Sequence, residues 1–249
     1  MINMFNALVI IPAYNEEECI ISTIKKLEED IDSFDYKDKI HFDYVVINDC
    51  SKDSTKLVLK DNKANFISLP LNLGIGGAVS CGYKYALKNN YDVAIQLDGD
   101  GQHDSVYLLD MTLPIYEDAA DIVIGSRFIN KEGFQSSSAR RMGIGILNFW
   151  IWFCSGQKVS DCTSGYRAVN KEYIKLYSSD YPIDYPEPEA IVRAKLNRAR
   201  IKEIPVIMKE RVSGKSSIRP IHSLYYMLKV SISIMICRLA NKKLKQKKR

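Results

Sequence analysis

Two carboxylates one residue apart, Asp98 and Asp100, stand in the run Gln96-Leu97-Asp98-Gly99-Asp100-Gly101-Gln102-His103-Asp104. Placed directly after an apolar strand, such a pair can aim at one point. Hard divalent cations such as Mg²⁺ or Mn²⁺ take oxygen ligands of this kind together with substrate phosphates. A cation held there would neutralise the charge of a departing diphosphate. Gly99 permits close backbone approach to a ligand. An Asp-x-Asp pattern alone is also a common surface turn, so its weight comes from the strand before it and from Gln102 and Asp104 after it.

Other polar groups end neighbouring apolar runs. Pro12-Ala13-Tyr14-Asn15-Glu16 closes the first. Tyr14 offers a ring for a base to lie on, whereas Glu16 and the acids after it equally suit a helix N-terminus. Asp49, at the end of the second, can accept a base N–H while Ser51 or Asp53 caps the next helix. The segment Asn72-Leu73-Gly74-Ile75-Gly76-Gly77-Ala78 lacks the third spaced glycine of a dinucleotide fingerprint and follows the third run, not the first. Gly76 therefore reads as a point where a helix start packs close to a nucleotide or sugar.

These groups need a frame, and the first half of the chain supplies one. Apolar, β-branched runs at 7–11, 42–47, 65–69, 92–97 and 121–124 predict strands. Helical patterns at 16–31, 53–62, 76–89 and 106–116 lie between them. That rhythm predicts an α/β fold with a mostly parallel, Rossmann-like central sheet and helices on both faces. Ligands gather at the carboxyl ends of such strands, where the chain places Tyr14-Asn15-Glu16, Asn48-Asp49, Asp98-Gly99-Asp100 and Ser126-Arg127. The second half predicts a Ser-rich loop at 133–139, an apolar stretch at 142–153, a polar turn at 161–167, a helix at 187–197, a strand at 201–208 and an apolar segment at 224–239.

The chain of 249 residues is 46% hydrophobic and 26% charged, ordinary for a globular protein. Six scattered cysteines form no Cys-x-x-Cys pair, and Met1 to Asn6 lack the features of a cleavable signal. Both points predict reduced thiols in a cytoplasmic protein. The net charge of +5 concentrates in the tail Lys242 to Arg249. A basic tail after an apolar helix is either a solvated terminus or an attraction to anionic lipid. No aromatic-interleaved basic patch speaks for nucleic acid.

Taken together, the four strand-end segments resemble the inverting family-2 glycosyltransferases of GT-A fold, near the dolichyl-phosphate-mannose-synthase-like branch, from Leu8 to Ser217. That resemblance implies a GT-A domain over 1–218 and a C-terminal amphipathic helix and basic tail over 219–249. It implies that Pro12, Ala13, Tyr14, Glu16, Asp49, Gly76, Gln96, Gly99, Lys215 and Ser216 line a nucleotide-diphosphate sugar, with Asp98, Asp100 and Gln102 on the metal. Where the family carries a second Asp and a Gly after its second strand, this chain has Asn48 and Cys50. Arg127, in Gly125-Ser126-Arg127-Phe128, resembles an arginine that faces the donor or acceptor phosphate, Arg141 resembles a second one of the lipid-phosphate-using enzymes, and Arg211 resembles one closing over the diphosphate. Guanidinium groups suit this because their planar fork grips phosphate bidentately.

A polyprenyl phosphate acceptor is already ionised and needs only positioning and electrostatics. A sugar hydroxyl, soluble, lipid-linked or protein-bound, needs a base, for which Glu187 and Glu189 are candidates. Both equally suit the first turn of a helix. No run reaches the roughly 20 apolar residues that span a bilayer, so membrane contact is expected to be peripheral, at the inner face, through 142–153 or 224–239. The second segment equally suits a homo-oligomer interface. The acidic first-strand end argues against a nucleotidyltransferase, and the intact Asp98 and Asp100 pair argues against a non-catalytic nucleotide-sugar-binding protein.

Overall fold

The computed structural model describes residues 4–133, 138–184, 186–209 and 220–247, with side chains of 138–139, 220–226 and 241–247 outside that description. Seven strands form one sheet: β1 (Phe5–Ala13), β2 (Ile40–Asn48), β3 (Phe66–Ser68), β4 (Val93–Gln96), β5 (Ile122–Ser126), β6 (Arg167–Asn170) and β7 (Ile201–Pro205). Their order is β3-β2-β1-β4-β6-β5-β7. Only β6 runs against its neighbours, antiparallel to both β4 and β5.

The periodicity of β1 explains its central place. Ala7, Val9 and Ile11 point to one face and Leu8 and Ile10 to the other, and all five are fully buried. A strand covered on both faces reads as an unbroken apolar run. On the first face lie α1 (Ile20–Ser33), α2 (Thr55–Asp61) and α4 (Leu108–Tyr116), through Ile20, Ile24, Leu27, Leu59, Leu108 and Met111. On the second lie α3 (Gly74–Lys88), α5 (Ser138–Ser155), α6 (Lys171–Ser179), α7 (Pro186–Leu196) and α8 (Pro220–Lys247). Val230 and Ile234 seat α8 in that layer, so the C-terminal helix is docked on the sheet domain.

Two elements depart from expectation. The 161–167 segment continues into β6, whose four residues are too few to carry a period and whose direction reverses the βα rhythm. Asn170 then caps α6 by accepting the Tyr173 N–H at 3.2 Å. The first helix begins at Ile20 rather than Glu16, because Asn15 takes a left-handed φ of 57° and residues 16–19 form a turn tied to the neighbouring loop. β1 and β2 still end together, at Ala13 and Asn48, while β4 stops at Gln96, level with Ile10.

Candidate active site

The loops after β1 and β2 are laced into one floor. Asn15 N–H donates to Ser51 Oγ (3.0 Å), Glu16 N–H to Thr55 Oγ1 (2.9 Å), and Lys52 N–H to Asn15 Oδ1 (2.8 Å). Asp49 is buried, and its Oδ1 accepts the Leu73 N–H at 2.7 Å, clamping the start of α3 against β2. Asn48 Nδ2 donates to Ser68 Oγ at 3.0 Å. Tyr14 stands above this floor with its ring exposed. Pro12, Ala13, Tyr14, Glu16 and Asp49 thus share the carboxyl edge of the sheet.

Asp98 and Asp100 occupy the adjoining strand end. Asp98 Oδ1 accepts from Gln96 Nε2 at 3.0 Å, and the side chain keeps 31% of its surface open. Asp100 is buried, with Oδ1 accepting the Gln102 N–H at 3.0 Å. A β-carbon on Gly165 would lie 2.8 Å from Gln96 Nε2 and 3.3 Å from Asp98 Oδ2, so glycine lets the segment before β6 lie close over these side chains without displacing them. Gln96 Oε1 is buried with no hydrogen-bond partner among the described residues, which is uncommon for a buried polar atom. Among the described residues no three His, Cys, Asp or Glu side chains converge as a full ligand set. Hard oxygens from two aspartates fit Mg²⁺ or Mn²⁺, which completes its shell with phosphate and water.

Glu187 opens α7, within electrostatic reach of Asp98. Burial raises its pKa, the Arg167 guanidinium opposes that, and the charge of Asp98 adds to it. Arg167 is itself buried and donates to the carbonyls of Ser164 (2.8 Å), Cys162 (2.9 Å) and Glu187 (2.6 Å). It therefore ties the 162–164 turn to the start of α7. Glu189, two residues on and so about 200° around the helix, faces α8 instead. It pairs with Arg193 at 2.6 Å and binds Ser233 and Cys237, fastening α8 to α7.

Other candidates also fall elsewhere. Arg127 is buried against the fully buried Asp161, with Nε to Oδ2 at 2.6 Å and Nη2 to Oδ1 at 2.7 Å. Its fork grips a carboxylate of the protein, and with Glu203, which accepts from Ser160 and Asp161, it fixes the 160–165 loop. Gly76 faces the protein, since a β-carbon there would meet the carbonyl oxygens of Ile183 and Pro182 at 2.2 and 2.3 Å. The Gln102 side chain donates to the Lys209 carbonyl at 3.4 Å. Arg141 is exposed on α5, lining a cavity of about 200 Å³ with Phe128, Lys131 and Asn148. A cavity of about 310 Å³ at the amino end of β2, beside Phe34 and His41, lies away from these groups. Arg211, Lys215 and Ser216 lie outside the described residues.

Sequence reasoning passed over His103, Asp161, Gly165 and Arg167. All four stand within the polar segments 96–104 and 161–167, but their partners are set by the fold. Asp104, also in the run, is held ionised: burial raises its pKa, yet Lys209 and Lys26 bring it below the ordinary range.

A mostly parallel sheet with paired aspartates at the end of a central strand fits the GT-A architecture. The family model for glycosyl transferase family 2 matches residues 8–177, and the chain belongs to that family. It is similar to the UDP-N-acetylglucosamine–dolichyl-phosphate N-acetylglucosaminyltransferase of Methanococcus voltae, 30% identical over 218 residues, covering 80% of this chain and 83% of that one. It is also similar to the undecaprenyl-phosphate mannosyltransferase of Micrococcus luteus, 26% identical with 84% and 86% covered. These relatives support the dolichyl-phosphate-mannose-synthase-like branch. Among solved structures, glucosyl-3-phosphoglycerate synthase from Mycobacterium tuberculosis, in complex with Mn²⁺, UDP and phosphoglyceric acid, superposes with a TM-score of 0.68 at 17% identity, covering 94% of this chain and 78% of that one. The chain is a glycosyltransferase.

Proposed function

We propose that this enzyme uses Mg²⁺ or Mn²⁺ to transfer a hexosyl or N-acetylhexosaminyl group, with inversion, from a nucleoside diphosphate onto a polyprenyl phosphate at a membrane surface. The observation that carries the reading is the Asp98 and Asp100 pair at the end of β4, closed over by Gly165. The names of the relatives, which act on dolichyl and undecaprenyl phosphates, support the acceptor class. Mn²⁺ and UDP in the similar solved structure support the donor and metal.

In this reading Tyr14 and Asp49 receive the base, and Asp98 and Asp100 hold the cation. A bound cation supplies charge neutralisation on the diphosphate leaving group. The lacing between the β1 and β2 loops fixes the donor in line with the acceptor, so that much of the barrier is met by orientation. An ionised lipid phosphate attacks the anomeric carbon without giving up a proton. Arg141 and Lys131, which line the α5 cavity, are the basic groups we assign to it. Residues 1–218 form the catalytic unit, with 219–249 as its C-terminal extension.

Two exposed stripes support peripheral membrane contact. On α5, Met142, Ile146, Phe149 and Phe153 recur at helical spacing, and on α8 Leu228, Ile232, Met235 and Leu239 do the same. Among the described residues no helix is long and apolar enough to cross a membrane. The basic run Lys242 to Arg249 suits an anionic leaflet, as at the cytoplasmic face.

The position of Glu187 favours a second reading, transfer to a sugar hydroxyl. A half-buried carboxyl whose pKa is raised by desolvation, and to a lesser extent by the charge of Asp98, is suited to take a hydroxyl proton. The proposal is tested by Asp98→Ala and Asp100→Ala, which should abolish transfer while circular dichroism stays that of the parent. Full turnover in the double variant would refute the metal assignment.

A further inference from the structure

We propose that His103 is a positioning residue whose Nε2–H holds the Asp98 carboxylate in the orientation a divalent cation requires; the inference rests on the metal reading above. The loop after β4 folds back on itself through Gly101, at φ +74°, and brings His103 beside Asp98. There Nδ1 accepts the Asp98 backbone N–H at 3.0 Å. A neutral imidazole that accepts at Nδ1 carries its hydrogen at Nε2. Nε2 is turned toward Asp98 Oδ2 at 3.6 Å, longer than a hydrogen bond but close enough for electrostatic attraction.

The ring has little freedom to do anything else. Its side chain is 3% exposed and stacks on Tyr166, with centroids 4.9 Å apart and planes 15° from parallel. Tyr166 is fully buried and donates its hydroxyl to the Asp104 carbonyl at 3.0 Å, which fixes the plane on which His103 lies. The His103 backbone also bridges to Met208, on the segment after β7. Asp98 is thereby addressed on both oxygens, Oδ1 by Gln96 and Oδ2 by His103, while Gly165 closes from above. Groups that orient a metal-binding side chain from behind commonly change metal affinity by about 10- to 100-fold when removed.

The test measures Mn²⁺ binding from the electron paramagnetic resonance signal of the free ion, with Mn²⁺ alone and with Mn²⁺ plus UDP. His103→Phe keeps the ring stacked on Tyr166 and removes both nitrogens; it should weaken Mn²⁺ binding about tenfold or more. His103→Gln places an amide N–H near the Nε2 position and should recover most of that loss. His103→Asn restores only an acceptor for the Asp98 N–H and should not. Parental Mn²⁺ affinity in His103→Phe, or equal recovery by His103→Asn and His103→Gln, would overturn the proposal, the second by reducing His103 to a support for the loop backbone. Should His103→Phe fail to fold, the comparison of Gln with Asn decides. Asp98→Asn separates the two levels: if it binds Mn²⁺ as the parent does, the metal reading itself fails.

Discussion

Arg127→Met keeps a long side chain in place and removes the guanidinium that Asp161 grips. Asp161 is fully buried and would retain only the Thr163 hydroxyl and the residue 127 backbone N–H as donors from these contacts. Removing one partner of a buried ion pair costs about 3–5 kcal/mol, because the remaining charge is uncompensated. The two surviving hydrogen bonds place the loss near the lower end, about 3 kcal/mol. For a chain of this length each kcal/mol moves the melting point by about 2–4 °C, so Tm should fall by about 6–12 °C. Adding Asp161→Asn removes the stranded charge and should restore about 1–2 kcal/mol, within the usual coupling of contacting pairs. Thermal melts of the parent, both single variants and the double variant read this directly. An arginine that instead binds the acceptor phosphate would leave Tm within about 1 °C and raise the acceptor KM. That pattern would refute the assignment of Arg127 to the loop.

Gly76→Ala should lower stability by about 1–3 kcal/mol, read from urea midpoints, because its β-carbon would collide with two backbone carbonyls that have no side-chain slack. Glu187→Gln should leave kcat with a polyprenyl phosphate acceptor within a factor of about three, whereas a hydroxyl acceptor would lose about 10²–10⁴-fold. In the second case the parental activity should rise with pH through a value above 4.5, the ordinary one, since burial raises this carboxyl and the base works deprotonated. Asp104 has a lowered folded pKa: burial raises it, but Lys209 and Lys26 outweigh that. Its contribution is therefore full above about pH 4 and is lost as pH falls through the folded value. Asp104→Asn should flatten that acid limb in stability-against-pH curves.

The central part of this architecture is legible because its strands are long and apolar. The run Ala7 to Ile11 carries β1 on its own, and Asp98 and Asp100 gain meaning from the strand before them. What escapes reading is contact across distance. The pairing of Arg127 with Asp161, 34 residues on, leaves no local mark in the sequence. Nor does the close approach of the Pro182 and Ile183 carbonyls to Gly76. Glu187 and Glu189 have the same local chemistry, and only the rotation of α7 separates the reach of Asp98 from the α8 contact. The short, reversed β6 falls below any periodic signal, although it carries the turn in which Gly165 covers Asp98.

The most direct measurement supplies purified enzyme, Mn²⁺ and a panel of radiolabelled UDP- and GDP-sugars to anionic vesicles containing polyprenyl phosphate. The account predicts label in the organic phase with at least one donor, and none with Asp98→Ala. Label that stays in the aqueous phase with every donor, or that reaches the lipid equally well without Asp98, would contradict it.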